Sequence, residues 1–217
     1  MCPLCRGDLI DTRNKFIEEM SRSFVIPCKY VGLGCTRTST LETQEIHEME
    51  CCYGPHKCPF LNIEHIKCNW EGAATKLDQH IINQHKNHYT AIVRSRNGST
   101  YCPNFVNFID GGSWYQIMFT VIDKTFFFYS KITDNILYMC YMYVGPRGSS
   151  NYYKYTIEIK TTDGRQSFAS TLQCPHYQEF IDGKLPNEKC ALLPKEFAKQ
   201  CLSEDGKLIH EYRICIN

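Results

Sequence analysis

PCKYVGLGCTRTSTLETQEIHEMEC, residues 27–51, is the stretch from which the fold is read. Six residues separate Cys28 from Cys35; His47 follows after eleven more, and Cys51 after another three. This spacing predicts a knuckle carrying two thiols, then a helix over STLETQEIHEMEC capped by Ser39 or Thr40. His47 and Cys51 stand at i and i+4, so one helical face presents both. Three sulfurs and one imidazole nitrogen form a closed tetrahedral set that suits structural zinc.

The next stretch repeats the plan. Nine residues lie between Cys58 and Cys68, eleven between Cys68 and His80, and four between His80 and His85. A helix is expected over ATKLDQHIINQH, and the i, i+5 spacing requires it to loosen or end near His85. The eleven-residue gap recurs from Cys35 to His47 and from Cys68 to His80, which points to two tandem sites and two zinc ions. Such closed sites leave no open position for a substrate, so they read as structural. Trp70 is expected to pack over the second site. His56 and His65 are alternative ligands there, and Cys52 would leave the first helix about 100° from Cys51. Cys2 and Cys5 form a CxxC; no βαβ context supports a redox pair, and half of a zinc site would need two more ligands, so the spacing alone leaves the pair unassigned.

Composition supports metal over disulfides. The chain has 217 residues, 14 Cys and 8 His, and residues 1–85 hold eight of the cysteines and five of the histidines. MCPLCRGDLIDTR has no apolar core of the kind a secretory signal needs, so clustered thiols read as ligands. The formal net charge is +1, and residues 1–90 hold ten Lys and Arg against eleven Asp and Glu. LETQEIHEME carries four Glu that would repel phosphate, so no nucleic-acid partner is expected. No apolar run is long enough to cross a bilayer, and no membrane partner is expected.

From about Ser113 the pattern changes. WYQIMFTVI, TFFFYS, ILYMCYMYV, YYKYTIEIK, RQSFAST and LIHEYRICI are rich in β-branched and aromatic residues and are separated by turn signals. In YYKYTIEIK, Tyr153, Tyr155, Ile157 and Ile159 share one face. Six such strands predict an antiparallel sandwich. Two short helices are expected elsewhere, in PKEFAKQC with Pro194 at its first position and in DTRNKFIEEMSRSF, where Phe16, Ile17, Met20 and Phe24 fall on one face. Tyr141, Tyr143, Tyr153 and Tyr155 read individually as core or sheet-face residues. Cysteines 102, 140, 174, 190, 201 and 215 share no spacing and read as free thiols. No nucleophile–base pair stands out, and GPRGSS lacks the lysine of a phosphate loop, so no catalytic residue is assigned and the chain's contribution reads as recognition.

CPLCRG, PCKYVGLGC, HEMEC, CPF, CNWEG and HIINQH together resemble the seven-in-absentia (SIAH) ubiquitin ligases. The Cys58–Cys68 knuckle is three residues longer than that family's usual one. YTIEI and KEFAKQCLSEDGKLIHEYRICI are similar to its TRAF-like substrate-binding domain. The resemblance implies a RING remnant and helical linker over 1–24, a double zinc finger over 25–88 and a TRAF-like sandwich over 89–217. It also implies a RING-type ubiquitin ligase whose sandwich binds degron-containing substrates, forms a homodimer and directs proteins to proteasomal degradation. Of the eight RING ligands only the last pair has counterparts here, Cys2 and Cys5, so a ubiquitin-conjugating enzyme is expected only if a full RING exists. Two readings stay open: the substrate-recognition part of a ligase, or a RING-less regulator that only binds partners. A cytoplasmic location is implied, and no basic run marks nuclear import.

Overall fold

A computed structural model describes residues 6–7, 14–63, 66–91, 104–107, 113–119, 124–181 and 187–216. Contacts divide the chain into two compact units, residues 1–51 and 52–217.

The first unit runs α1 (Lys15–Ser23), β1 (Val25–Pro27), β2 (Thr38–Thr40) and α2 (Leu41–Glu50). Asn14 caps α1 by accepting from the Ile17 N–H at 3.2 Å. The expected apolar face is present, but Phe16, Ile17, Met20 and Phe24 are all exposed. β1 and β2 pair antiparallel, with Ile26 opposite Ser39. Thr40 occupies the cap position of α2 in an extended conformation without a side-chain bond to the helix backbone. α2 stops at Glu50, so Cys51 sits just past the helix in extended conformation rather than on its face.

The buried side chains described in this unit are Cys28, Cys35, Ser39, Gln44, His47 and Cys51. No aliphatic or aromatic side chain is among them; Val31, Leu33, Leu41, Ile46 and Met49 face solvent. A segment with no apolar interior cannot offset the entropy of ordering its chain through the hydrophobic effect.

The second unit begins with β3 (Pro55–Lys57), β4 (Glu71–Ala73), α3 (Ala74–Gln84) and β5 (Tyr89–Ala91). It continues through β6 (Asn104–Asn107), β7 (Ser113–Phe119), β8 (Thr125–Thr133), β9 (Ile136–Val144), β10 (Tyr153–Lys160), β11 (Ser167–Gln173) and α4 (Tyr177–Ile181). β12 (Ala191–Pro194), α5 (Lys195–Gln200) and β13 (Lys207–Ile216) complete it. A four-stranded sheet has the order β11-β10-β13-β6, and a five-stranded sheet the order β12-β9-β8-β7-β5. The pairings are antiparallel except β5 with β7, which is parallel.

The interior follows from alternation along β8. Phe126 and Phe128 meet Tyr143, Tyr153, Tyr141 and His210, between the sheets. Phe127 and Tyr129 point the opposite way and meet Phe180, and Phe127 also meets Phe60 edge-on at 5.7 Å. Phe60, Ile63, Leu77 and Ile81 therefore belong to one hydrophobic cluster with the sandwich. Tyr141, Tyr143, Tyr153 and Tyr155 are all buried core residues.

Candidate metal centres

The first knuckle is shaped by backbone bonds. The Val31 N–H donates to the Cys28 carbonyl at 2.9 Å, and the Cys35 N–H to the Tyr30 carbonyl at 3.2 Å. Gly34 closes the turn at φ 109°, a conformation that side-chain-bearing residues rarely adopt. The knuckle thereby faces α2, whose His47 points inward. The ligating atoms of Cys28, Cys35, His47 and Cys51 all lie within 4.8 Å of one another. The Cys28 and Cys51 sulfurs are 3.8 Å apart, and the Cys35 sulfur is 3.5 Å from His47 Nε2.

The second centre joins a knuckle to α3. The Leu61 N–H donates to the Cys58 carbonyl at 3.0 Å, and the Cys58 N–H to the Trp70 carbonyl at 3.0 Å. α3 presents His80 and ends at Gln84, which leaves His85 at its C-cap with φ −126°. That break lets two histidines five residues apart converge. The ligating atoms of Cys58, Cys68, His80 and His85 lie within 4.8 Å of one another. Cys58 Sγ is 3.4 Å from His85 Nε2, and Cys68 Sγ is 3.4 Å from His80 Nε2.

These distances fit zinc. Bonds of about 2.3 Å to sulfur and about 2.0–2.1 Å to nitrogen require tetrahedral edges of about 3.8 Å for S···S and about 3.5 Å for S···N. Both donor sets, three thiols with one imidazole and two thiols with two imidazoles, are those of structural zinc. Each set would hold one ion, and two zinc ions are compatible with the two quartets. Bound there, zinc supplies folding free energy by cross-linking elements that are distant in sequence.

The electrostatics agree with that use. Burial, helped by the charges of His80 and His88, pushes His85 down to about 4, and burial lowers His80 as well. Both imidazoles are therefore neutral near pH 7, the form that ligates. The Arg37 backbone N–H lowers the Cys35 thiol. Burial pushes the metal-free Cys58 thiol up to about 12, so zinc binding there must displace a proton.

Trp70 stacks on His80 at 4.5 Å with an interplanar angle of 9°, and this fixes the imidazole's orientation. Gly72 makes that packing possible, because a Cβ at that position would come within 2.7 Å of the indole. His56 is not in the quartet. Its Nδ1 lies 2.9 Å from the Tyr177 hydroxyl, which donates to the Lys57 carbonyl at 3.0 Å. Cys52 is half-buried outside both clusters. The second knuckle carries Phe60 and Ile63, both buried in the core. His65, Cys2, Cys5 and Cys102 lie outside the described residues. Cys140, Cys174, Cys190 and Cys201 are buried thiols outside any disulfide, and Cys215 is exposed.

Residues 19–97 match the family model described as "Sina, zinc finger". A protein named E3 ubiquitin-protein ligase sina from Schistosoma mansoni is 28% identical over 213 residues, which cover 95% of this chain and 54% of that protein. E3 ubiquitin-protein ligase SINAT5 from Arabidopsis thaliana is 26% identical over 178 residues, or 78% of this chain and 55% of that protein. The sina ligase of Drosophila melanogaster is 34% identical over 85 residues, 39% of this chain and 26% of that protein. The chain spans about half the length of the first two relatives.

Proposed function

We propose, for a chain that is a seven-in-absentia relative carrying the Sina zinc finger, that it is the substrate-recognition part of a RING-type ubiquitin ligase. The observation that carries this reading is the pairing of two closed metal quartets with a β-sandwich, in a chain related to sina ligases over 95% of its length. Closed quartets build a scaffold and leave no coordination position for chemistry. Ubiquitin transfer by a RING positions reactants held by other proteins, so this reading assigns no catalytic residue to the chain.

In this reading the double finger occupies residues 25–88 and the TRAF-like domain 89–217. The sandwich takes degron segments as an added strand, with pockets reading alternate side chains. β6, which contains Phe105, is an edge strand of the four-stranded sheet, and β7, which contains Trp114, lies inside the other. The neighbourhood of these strands is the proposed docking region. Captured proteins go to proteasomal degradation, and the C-terminal domain forms a homodimer. The location is cytoplasmic, with a nuclear pool as the alternative. Cys2 and Cys5 are the last two ligands of a RING, and transfer requires the remaining six.

A reconstitution with ubiquitin-activating and conjugating enzymes tests this. The 217 residues alone are expected to form no ubiquitin conjugates, while the same residues following a complete RING form them and modify a bound degron protein. Conjugates formed by the 217 residues alone would overturn the RING assignment. Loss of degron-protein modification with self-modification intact would overturn the recognition role.

A further inference from the structure

The five-stranded sheet ends on β12, paired antiparallel to β9. Leu193 lies opposite Leu137, Leu192 opposite Tyr138 and Ala191 opposite Met139. Cys190 immediately precedes β12, Cys140 follows Met139 on β9, and the two thiols are within hydrogen-bonding reach of each other. The last opposed pair, Ala191 and Met139, adjoins both cysteines, and opposed residues have Cα atoms about 4.5–5.5 Å apart, inside the window of about 4.4–6.8 Å that a disulfide needs. Both residues line a cleft of about 320 Å³ together with Tyr129, Lys131, Tyr138 and Asn187. Cys190 is buried to 7% exposure and Cys140 to 1%, so the cleft is the route by which a small solute reaches them.

The backbone around the pair is fixed. The Lys189 carbonyl accepts from the Cys140 thiol at 3.4 Å and from the Tyr155 hydroxyl at 2.7 Å. The Lys189 ammonium pairs with Glu179 at 3.0 Å, and the Cys190 N–H donates to the Asn187 carbonyl at 2.9 Å. Among the described residues, groups of three or more metal-ligating side chains occur only at the two zinc quartets, so these thiols are a pair rather than a third metal site.

We propose that Cys140 and Cys190 are a peroxide-responsive dithiol that closes to a cross-strand disulfide between β9 and β12. The Cys190 thiolate attacks one oxygen of hydrogen peroxide. The O–O bond breaks, hydroxide leaves, and the sulfur becomes a sulfenic acid. The Cys140 sulfur then displaces that oxygen, which leaves as water with the help of the Cys140 proton. Two thiols and one peroxide give one disulfide and two waters; each sulfur loses one electron and the peroxide gains two. The neighbouring Cys140 side chain lowers the Cys190 thiol, while burial raises Cys140, which supports this order of attack.

The test uses the zinc-loaded chain, treated with hydrogen peroxide at neutral pH, alkylated and digested with trypsin without reduction. The expected product links peptide 132–147 to peptide 190–195, two hydrogens lighter than the sum of the free-thiol peptides, and it disappears on reduction. It should form before either zinc ion is released. In Cys140→Ser, Cys190 should instead be trapped by dimedone, a sulfenic-acid reagent. Recovery of both cysteines as alkylated thiols after zinc has begun to leave would overturn the proposal. So would a disulfide from either residue to Cys174, or a Cys140→Ser chain, zinc-loaded like the wild type, whose Cys190 takes no dimedone.

Discussion

Tyr177→Phe probes how the second finger is joined to the sandwich. The tyrosine is fully buried on α4, and its hydroxyl bonds back to the β3 strand of the finger, to His56 and Lys57. Burial pushes His56 down to about 4, so its ring is neutral with one N–H. The network is satisfied when that N–H donates to the hydroxyl from Nδ1 and the hydroxyl donates to the Lys57 carbonyl. Phenylalanine keeps the ring and removes only this oxygen, leaving the buried His56 N–H and the part-buried Lys57 carbonyl without their partner. At about 1–3 kcal/mol for each orphaned group, partly relieved by relaxation, the expected loss is about 3 kcal/mol. For a unit of this size that is roughly 6–12 °C in melting temperature. Calorimetry on the zinc-loaded protein measures the shift, and amide exchange should quicken at residues 55–57 and 71–73. A loss under about 0.5 kcal/mol with unchanged exchange would refute the reasoning, because these bonds would then add nothing to the seam.

Three further outcomes follow from the same geometry. Gly72→Ala pushes a methyl into Trp70 and so frees His80; zinc affinity at the second site should fall about 10–100-fold by competition with a chromophoric chelator, with the first site unchanged. His210 is buried, hydrogen-bonded to Tyr141, and pushed down to about 4 by burial. Its folded-state value lies below its unfolded value of about 6.5, so its contribution is present above pH 6.5 and lost as pH falls toward 4; His210→Asn should flatten denaturant-measured stability against pH by about one proton in that window. Chelation should unfold residues 25–51 before the sandwich, because the first unit has no apolar side chain among its described buried residues; amide exchange at limiting chelator measures the order.

The metal centres were the most legible part of the sequence, because thiols and imidazoles at fixed spacing have few other uses. All eight side chains read as ligands fall into the two quartets expected. The helix carrying His47 was legible too, yet it ends one residue before Cys51, since helix ends depend on local caps that periodicity does not resolve. The long strands were legible from aromatic and β-branched runs. β1 to β4 were not, because three-residue strands are too short to show alternation. The Asp134–Asn135 turn between β8 and β9 was missed as well. Both residues have positive φ (51° and 61°), and both types tolerate that conformation, so the signal was available. The exposed apolar face of α1 shows the limit of periodicity, which identifies a stripe but not whether anything covers it. The shared core of the second finger and the sandwich had no sequence signal, because Phe60 and Phe127 are far apart in the chain and only tertiary contact relates them.

The central claim is that two separate Cys/His quartets each hold one zinc ion. The direct measurement is zinc per chain, by mass spectrometry under native conditions, for the wild type and for Cys51→Ala. The expected result is two ions in the wild type and one in the variant, with amide protection lost over residues 25–51 and kept over β8 to β10. Two ions retained in Cys51→Ala, or both lost together, would contradict the assignment of the quartets.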